Sequence, residues 1–235
     1  MTPPLLHLSA VSKDYRALRP LRIEHLEVAA GDQFAIVGLD RPAAEVFINL
    51  VTGATLPDRG DISAFGRPTA AIQDSADWLA TLDRFGIVSE RAVLLDALSV
   101  IQNLAIPFSL EIEPPSDSVQ SRVRALADEV GLDAGSWVRP VADLDLLGRL
   151  RVRFARALAL QPAVLLLEHP SAGLTGADAA LIGRDFRAVS ERRGVAAVTL
   201  TADPVFAAVI AARVWTLQPA TGRLVERRRS WFRGA

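Results

Sequence analysis

The residues that invite a chemical reading lie in "VGLDRPAAEV", positions 37 to 46. An apolar run, Phe34-Ala35-Ile36-Val37, leads into Gly38 and reads as a buried strand. Phe47-Ile48-Asn49-Leu50-Val51 follows and reads as the body of a helix. Strand, tight loop and helix in that order are the setting of a phosphate-binding loop. There, glycines let backbone N–H groups approach the phosphates, a lysine reaches the outer phosphates and a hydroxyl holds Mg2+. The order is present, but Gly38 and Asp40 are followed by Arg41, Pro42, Ala43, Ala44, Glu45 and Val46. Two more groups stand at strand ends, where parallel sheets take their ligands: Glu168-His169 after "AVLLL", and Ala202-Asp203 after "VAAVTLT". Glu168 and His169 could form a metal pair or an acid/base dyad. Adjacent residues on an extended chain point apart, however, and His7 and His25 are the only other histidines. The plainer expectation is a strand-end histidine hydrogen-bonded to backbone, with no metal site. Ser171 lacks a nucleophile-elbow pattern.

The elements that must position these groups follow from periodicity. Residues 5 to 30 alternate like edge strands, with a break between Leu21-Arg22-Ile23 and Leu26-Glu27-Val28. A helix from Pro42 to Thr52 is expected, capped by Asp40 and stopped by Gly53. "LPDRGDISAFGRP" reads as turn, strand, turn, and "FGIVSE" as a buried strand. Helical character runs from about 92 to 145, through "LDALSVIQNLAI" and "SVQSRVRALADEVGL" with Pro114-Pro115 between them. "RVRFARALAL" and "ALIGRDFRAVSERRG" are further helices, and "VAAVTLTAD" and "RVWTLQ" further strands. Buried strands alternating with helices predict an α/β fold, largely parallel, with helices on both faces and an antiparallel N-terminal part.

Composition narrows the function classes. The chain has 235 residues, 50% of them hydrophobic, enough for one domain with a large core. A formal net charge of −1 gives no global attraction to nucleic acid. Without cysteine there is no disulfide, thiolate metal site or cysteine nucleophile. No signal peptide and no membrane-length apolar run stands out, so a cytoplasmic protein is expected. Of 26 Lys and Arg residues only Lys13 is lysine, so the loop has no primary ammonium of its own. The tail "ERRRSWFRGA" is basic and aromatic: it is either solvated or placed against anionic headgroups.

Taken together, the segments make the chain resemble the ATP-binding cassette (ABC) ATPases, the nucleotide-binding subunits of ABC transporters. Five of them carry the resemblance, in order: "VGLDRPAAEVFINLVTG", "PDRGDISAFGRP", "RFGIVSERAVLLDALSVIQNLAIPF", "LDLLGRLRVRFARALALQPAVLLLEHPSAGLT" and "TLTADPVFAAVIAARVWTL". It implies a P-loop NTPase-like unit over 1–235. The core would be about 1–89 and 146–220, the inserted helical subdomain about 90–145 and the basic tail about 221–235.

The resemblance also assigns roles, and the residues depart from them. Ala44 stands for the phosphate-loop lysine and Glu45 for the magnesium-binding hydroxyl. Pro42 removes an amide, and glycine-like positive φ at Arg41 and Ala43 would cost on the order of 1–3 kcal/mol each. Two unit charges about 4 Å apart at an effective dielectric near 20 interact by about 4 kcal/mol, so losing a cation and gaining Glu45 weighs heavily against phosphate. Asp40 and Glu45 are expected to supply the anion that the helix N-terminus favours, while Arg41 is the one group left that could receive a phosphate. Glu90 stands for the family's glutamine, Glu168 for the Walker B aspartate, His169 for the catalytic glutamate and Ala202 for the switch histidine. Thr175 replaces the D-loop aspartate, and the signature reads Leu144-Asp145-Leu146-Leu147-Gly148. Tyr15 falls where the family places an aromatic under the adenine; from the residues alone it is a half-buried strand residue.

These departures imply a pseudo-ATPase needing no cofactor. It would be a structural or regulatory partner, at the inner face of the membrane, of a permease or of another ABC ATPase subunit with which it would dimerise. The segment from Leu94 to Ile106 keeps the family's pattern and implies a groove for the permease, or a subdomain core. Two other readings remain: an ATPase using ATP and Mg through Arg41 and Glu168, and a soluble binding module without a transporter.

Overall fold

In the computed structural model, which describes residues 3–227, strands and helices alternate along most of the chain. The first half runs β1 (Leu6–Lys13), β2 (Leu21–Val28), β3 (Gln33–Val37), α1 (Arg41–Val51), β4 (Arg59–Ala64), β5 (Arg67–Pro68), α2 (Ser75–Leu82) and β6 (Phe85–Val88). The second runs α3 (Val100–Ala105), α4 (Asp117–Glu129), α5 (Leu146–Leu158), β7 (Val164–Glu168), α6 (Gly176–Arg193), β8 (Ala196–Thr201), α7 (Pro204–Ile210), β9 (Arg213–Leu217) and β10 (Leu224–Glu226).

Two sheets result. The antiparallel one has the order β2-β1-β4-β5, and the larger has the order β10-β9-β3-β8-β7-β6. Every pairing in the larger sheet is parallel except β10 against β9. The period-two geometry of its strands divides the core between two faces. Val164 and Leu166 of β7, with Phe34 and Ile36 of β3, join the cluster beneath the antiparallel sheet and α1. Leu165, Leu167 and Ala35 join the cluster that holds the helices α3 to α7. A strand buried on both faces must be apolar throughout, which is why "VLLL" admits a charge only at its last residue, Glu168. The α/β class, the largely parallel sheet and the antiparallel N-terminal part agree with the sequence reading.

Four expectations need correction. Helix α2 was not anticipated: none of its residues is buried, so it carries no strong apolar stripe, and it is tied down by the Trp78 Nε1 donating to Thr52 O at 3.1 Å. The helical character expected from about 92 begins only with α3 at Val100–Ala105, because a reciprocal Ser99–Gln102 capping box starts it late. The break expected in β2 is only a change of phase, with Glu24 and His25 both outward. The tail begins later than position 221, since β10 pairs with β9. The rest of the basic-aromatic tail, with Arg228, Arg229, Trp231, Phe232 and Arg233, lies outside the described residues. Among the described residues no helix is long and apolar enough to cross a membrane.

Candidate functional site

The strand order places β3, β8 and β7 side by side. Their carboxyl ends bring Gly38, Ala202 and Glu168-His169 to one edge. Gly38 has φ 103°, and a Cβ there would meet Leu217 O at 3.1 Å, so glycine is required at this turn. The loop is then over almost at once: Asp40 is the N-cap and Arg41 is already helical. The strain expected at Arg41 and Ala43 does not arise: α1 begins at Arg41, and neither residue takes a positive φ.

Asp40 accepts from Ala43 N at 2.9 Å, and its own carbonyl accepts from Ala44 N at 2.9 Å. A side chain from the chain itself therefore occupies the helix N-terminus, as expected of Asp40. Ala43 and Ala44 are buried and present no polar group. Glu45 does not join the cap. Its carboxylate reaches Arg91 Nη1 at 2.9 Å. Arg91 also donates to Glu168 Oε2, through Nη2 at 2.9 Å and Nε at 3.3 Å. Arg41, the expected phosphate receiver, donates instead to Glu90 at 2.8 Å. These side chains line a cavity of about 220 Å3 together with Pro42 and His169. Three carboxylates (Glu45, Glu90, Glu168) face two guanidiniums (Arg41, Arg91), so the lining carries one net negative charge.

His169 departs from its plain expectation. Its backbone N–H donates to Leu200 O at 2.8 Å, but among the described residues its buried Nε2 has no partner, and its φ of 44° is left-handed. Ala202 is exposed and offers no function, whereas Asp203 caps α7 through Val205 N and Phe206 N. Tyr15 lies just after β1 rather than in a strand and is half-buried. It shares a second cavity of about 240 Å3 with Gly38, Asp40 and Ala43. Burial, and then the charge of Asp40, raise its phenol above the ordinary tyrosine range.

No family model matches the chain. Curated relatives do. It is 29% identical to the lipoprotein-releasing system ATP-binding protein LolD of Alcanivorax borkumensis, over 87% of this chain and 91% of LolD. It is 30% identical to the Fe(3+) ions import ATP-binding protein FbpC of Serratia marcescens, over 94% of this chain and 62% of FbpC. It is 29% identical to the sulfate/thiosulfate import ATP-binding protein CysA of Caulobacter vibrioides, over 88% of this chain and 60% of CysA. The chain is a homologue of the ATP-binding subunits of ABC transporters. It spans nearly the whole of LolD but less than two thirds of FbpC and CysA. Solved structures agree on the fold. The chain superposes with a TM-score of 0.79 on CbiO1 from Clostridium perfringens, at 19% identity over 95% of this chain and 87% of that one. On the ATP-binding cassette MJ0796, dimeric and bound to ADP and Pi, the TM-score is 0.76, at 20% identity over 95% of this chain and 99% of that one.

Within this ABC cassette fold, the signature segment repeats what happens at α1. Asp145 caps α5, accepting from Gly148 N at 2.7 Å, so the first-turn amide is taken by the chain's own carboxylate. Leu144 and Leu147 pack on the helical core cluster. Leu146 is 40% exposed and lies against Gly173, where a Cβ would come 3.2 Å from its Cδ2. Thr175 caps α6, accepting from Asp178 N at 3.2 Å.

Three groups of functional side chains escaped the sequence reading. Arg91, next to Glu90, is the cation at the centre of the site. Asn103, fully buried, holds the preceding loop through Leu95 N, Leu95 O, Leu98 O and Ser99 O. Arg149, Arg153 and Arg156 on α5 grip the same loop from the other side: Arg149 pairs with Asp96 at 2.6 Å, Arg153 Nε donates to Ala92 O at 3.3 Å and Arg156 Nη1 donates to Val93 O at 2.6 Å. Their spacing of four and three residues was the available signal: it places them on one helix face. Desolvation first, then a neighbouring guanidinium, lowers the pKa of both Arg153 and Arg156 below the ordinary arginine value.

Proposed function

We propose that the chain is an ABC cassette subunit that no longer turns over ATP and serves as a structural or regulatory partner. The observation that carries this reading is that the ion pairs Arg41–Glu90 and Glu45–Arg91–Glu168 occupy the charged groups at the nucleotide edge, while Asp40 occupies the α1 cap. A nucleotide phosphate would have to displace Asp40 from the helix cap and break the Arg41–Glu90 pair. It would do so without a lysine and against a net negative lining. At the signature end Asp145 takes the Gly148 amide in the same way, so at both helix starts that this chain could offer to a composite dimer site one first-turn amide is already held by the chain's own carboxylate.

The relatives bear names of transport systems, and on that ground the partner is a membrane permease, a second ABC ATPase subunit, or both, at the cytoplasmic face of the membrane. The side of the molecule that would meet a permease is better preserved. A groove of about 240 Å3 runs between the parallel sheet and the helical insert, walled by Phe85, Ile87, Pro107 and Leu160 and bearing Arg153 and Arg156. Of the apolar residues assigned to this region, Leu94, Val100 and Leu104 belong to the core, whereas Leu95 is 45% exposed beside Val93 at 69%.

The competing reading, ATP and Mg held by Arg41 and Glu168, is weakened because both side chains already have ion-pair partners. Calorimetric titration of the purified chain with Mg-ATP, with turnover measured alongside, separates the two. The expected outcome is no saturable heat up to millimolar ATP and no phosphate release. Micromolar binding would sink the pseudo-ATPase reading and make Arg41 and Glu168 the first residues to mutate.

A further inference from the structure

An ABC ATPase uses Mg2+ beside its nucleotide, and the residues at this edge do not fit that ion while Arg91 is in place. Glu45 stands at the position of the hydroxyl ligand and Glu168 at that of the Walker B carboxylate. Between them lies a guanidinium, with Nη1 on Glu45 Oε1 and Nη2 on Glu168 Oε2, each at 2.9 Å. A divalent cation held by one or two carboxylates needs those same oxygens. The third carboxylate, Glu90, is engaged by Arg41 at 2.8 Å.

The two arms of Arg91 differ in weight. The Glu45 side chain is 46% exposed, and a pair of that kind contributes little. The Glu168 side chain is only 9% exposed and receives two nitrogens of Arg91 on one oxygen. A carboxylate so withdrawn from water needs a counter-ion, and arginine supplies one that does not lose its proton. The three residues come from three elements: Glu45 from α1, Glu168 from the end of β7, and Arg91 from the loop after β6. The cation therefore also fastens that loop to the sheet edge.

We infer that Arg91 is a built-in substitute for the divalent cation: it keeps the edge free of metal, and its removal uncovers a divalent-cation site on Glu45 and Glu168. The inference deepens the pseudo-ATPase reading, but it concerns the metal alone. Its test leaves nucleotide out, so a negative result here and ATP binding in the calorimeter are separate failures.

The experiment is a Mn2+ titration followed by the electron paramagnetic resonance signal of the free ion, on the full chain and on Arg91→Gln. The wild type is expected to leave Mn2+ free. Arg91→Gln is expected to bind a single Mn2+, roughly tenfold tighter or more than any wild-type binding, as exchange of one resident positive charge for the ion requires. Adding Glu168→Gln to Arg91→Gln should abolish that binding. Equal Mn2+ affinity in wild type and Arg91→Gln, whether tight or absent, overturns the inference. A measurement without any variant guards against a misfolded Arg91→Gln. At matched ionic strength, Mg2+ and Na+ should give the wild type the same unfolding midpoint, and a rise specific to Mg2+ overturns the inference as well.

Discussion

At the nucleotide edge the arginines meet carboxylates; along the inner face of α5, Arg153 and Arg156 meet backbone carbonyls. The difference separates a closed region from an open one. Arg41 and Arg91 are neutralised by Glu45, Glu90 and Glu168, so the edge has little left to offer an anion. Arg153 and Arg156 form no ion pair among the described residues, and their lowered pKa values record positive charge that is desolvated and crowded. A region of that kind gains from an acidic group brought by a partner, whereas the edge loses by admitting one. Within a single chain, one set of arginines pairs with carboxylates at the sheet edge and the other holds a loop through its backbone carbonyls.

The comparison depends first on α5 being rigid. Phe154 stacks on Phe186 of α6 with ring centroids 3.7 Å apart, and both are buried. Phe154→Ala should cost about 3–5 kcal/mol by denaturant unfolding. A loss under 1 kcal/mol would mean that α5 is not the anchor of the clamp.

At Glu129 an arginine pair is partly shielded from water: Arg193 grips it with two nitrogens, at 2.8 and 2.5 Å, joining α4 to α6. Hydrogen bonding from Arg193 is the first cause holding the Glu129 carboxyl below the ordinary glutamate value. The unfolded chain therefore protonates more readily than the folded one. The stabilisation is complete above about pH 4.3, the unfolded value, and drains away as pH falls through the lower folded value. Glu129→Gln should lose about 1.5–3 kcal/mol at neutral pH, and its stability should fall less steeply than that of wild type under acid. Parallel acid profiles for the two proteins would refute this.

The two helix caps should behave alike despite their different surroundings. Asp40→Ala and Asp145→Ala are each expected to lower stability by about 1 kcal/mol, and the asparagine variants by less. Asp40→Ala also frees the Ala43 amide. If it brought Mg-ATP binding while Asp145→Ala did not, the cap alone would be what excludes nucleotide. The smallest effect is expected at Arg41→Ala, which breaks a pair whose side chains are 62% and 52% exposed and should change stability by about 0–1 kcal/mol, less still in high salt. A larger loss would show that the edge is structural as well as closed.

Much of this was legible in the chain itself. Period-two and uninterrupted apolar runs gave the buried strands, and an aspartate ahead of "RPAAEV" gave the start of α1. The signals failed where burial was weak, as in α2, or where the reading assumed a longer loop with glycine-like dihedrals, as at Arg41 and Ala43. His169 could be placed at a strand end, but not its partnerless Nε2, because that depends on what the neighbouring strand and loop present to the ring.

Short-range hydrogen bonds and side-chain periodicity were enough for the strand-turn-helix order and the cap at Asp40, while the cassette architecture followed from the resemblance of five segments to a known family. How the charges are resolved depends on chain packing over long separations. Arg41 meets Glu90 across 49 residues, and Arg91 meets Glu168 across 77. No local rule pairs groups so distant. The parallel order of β3, β8 and β7 brings them to one edge, where a carboxylate short of water takes the nearest cation.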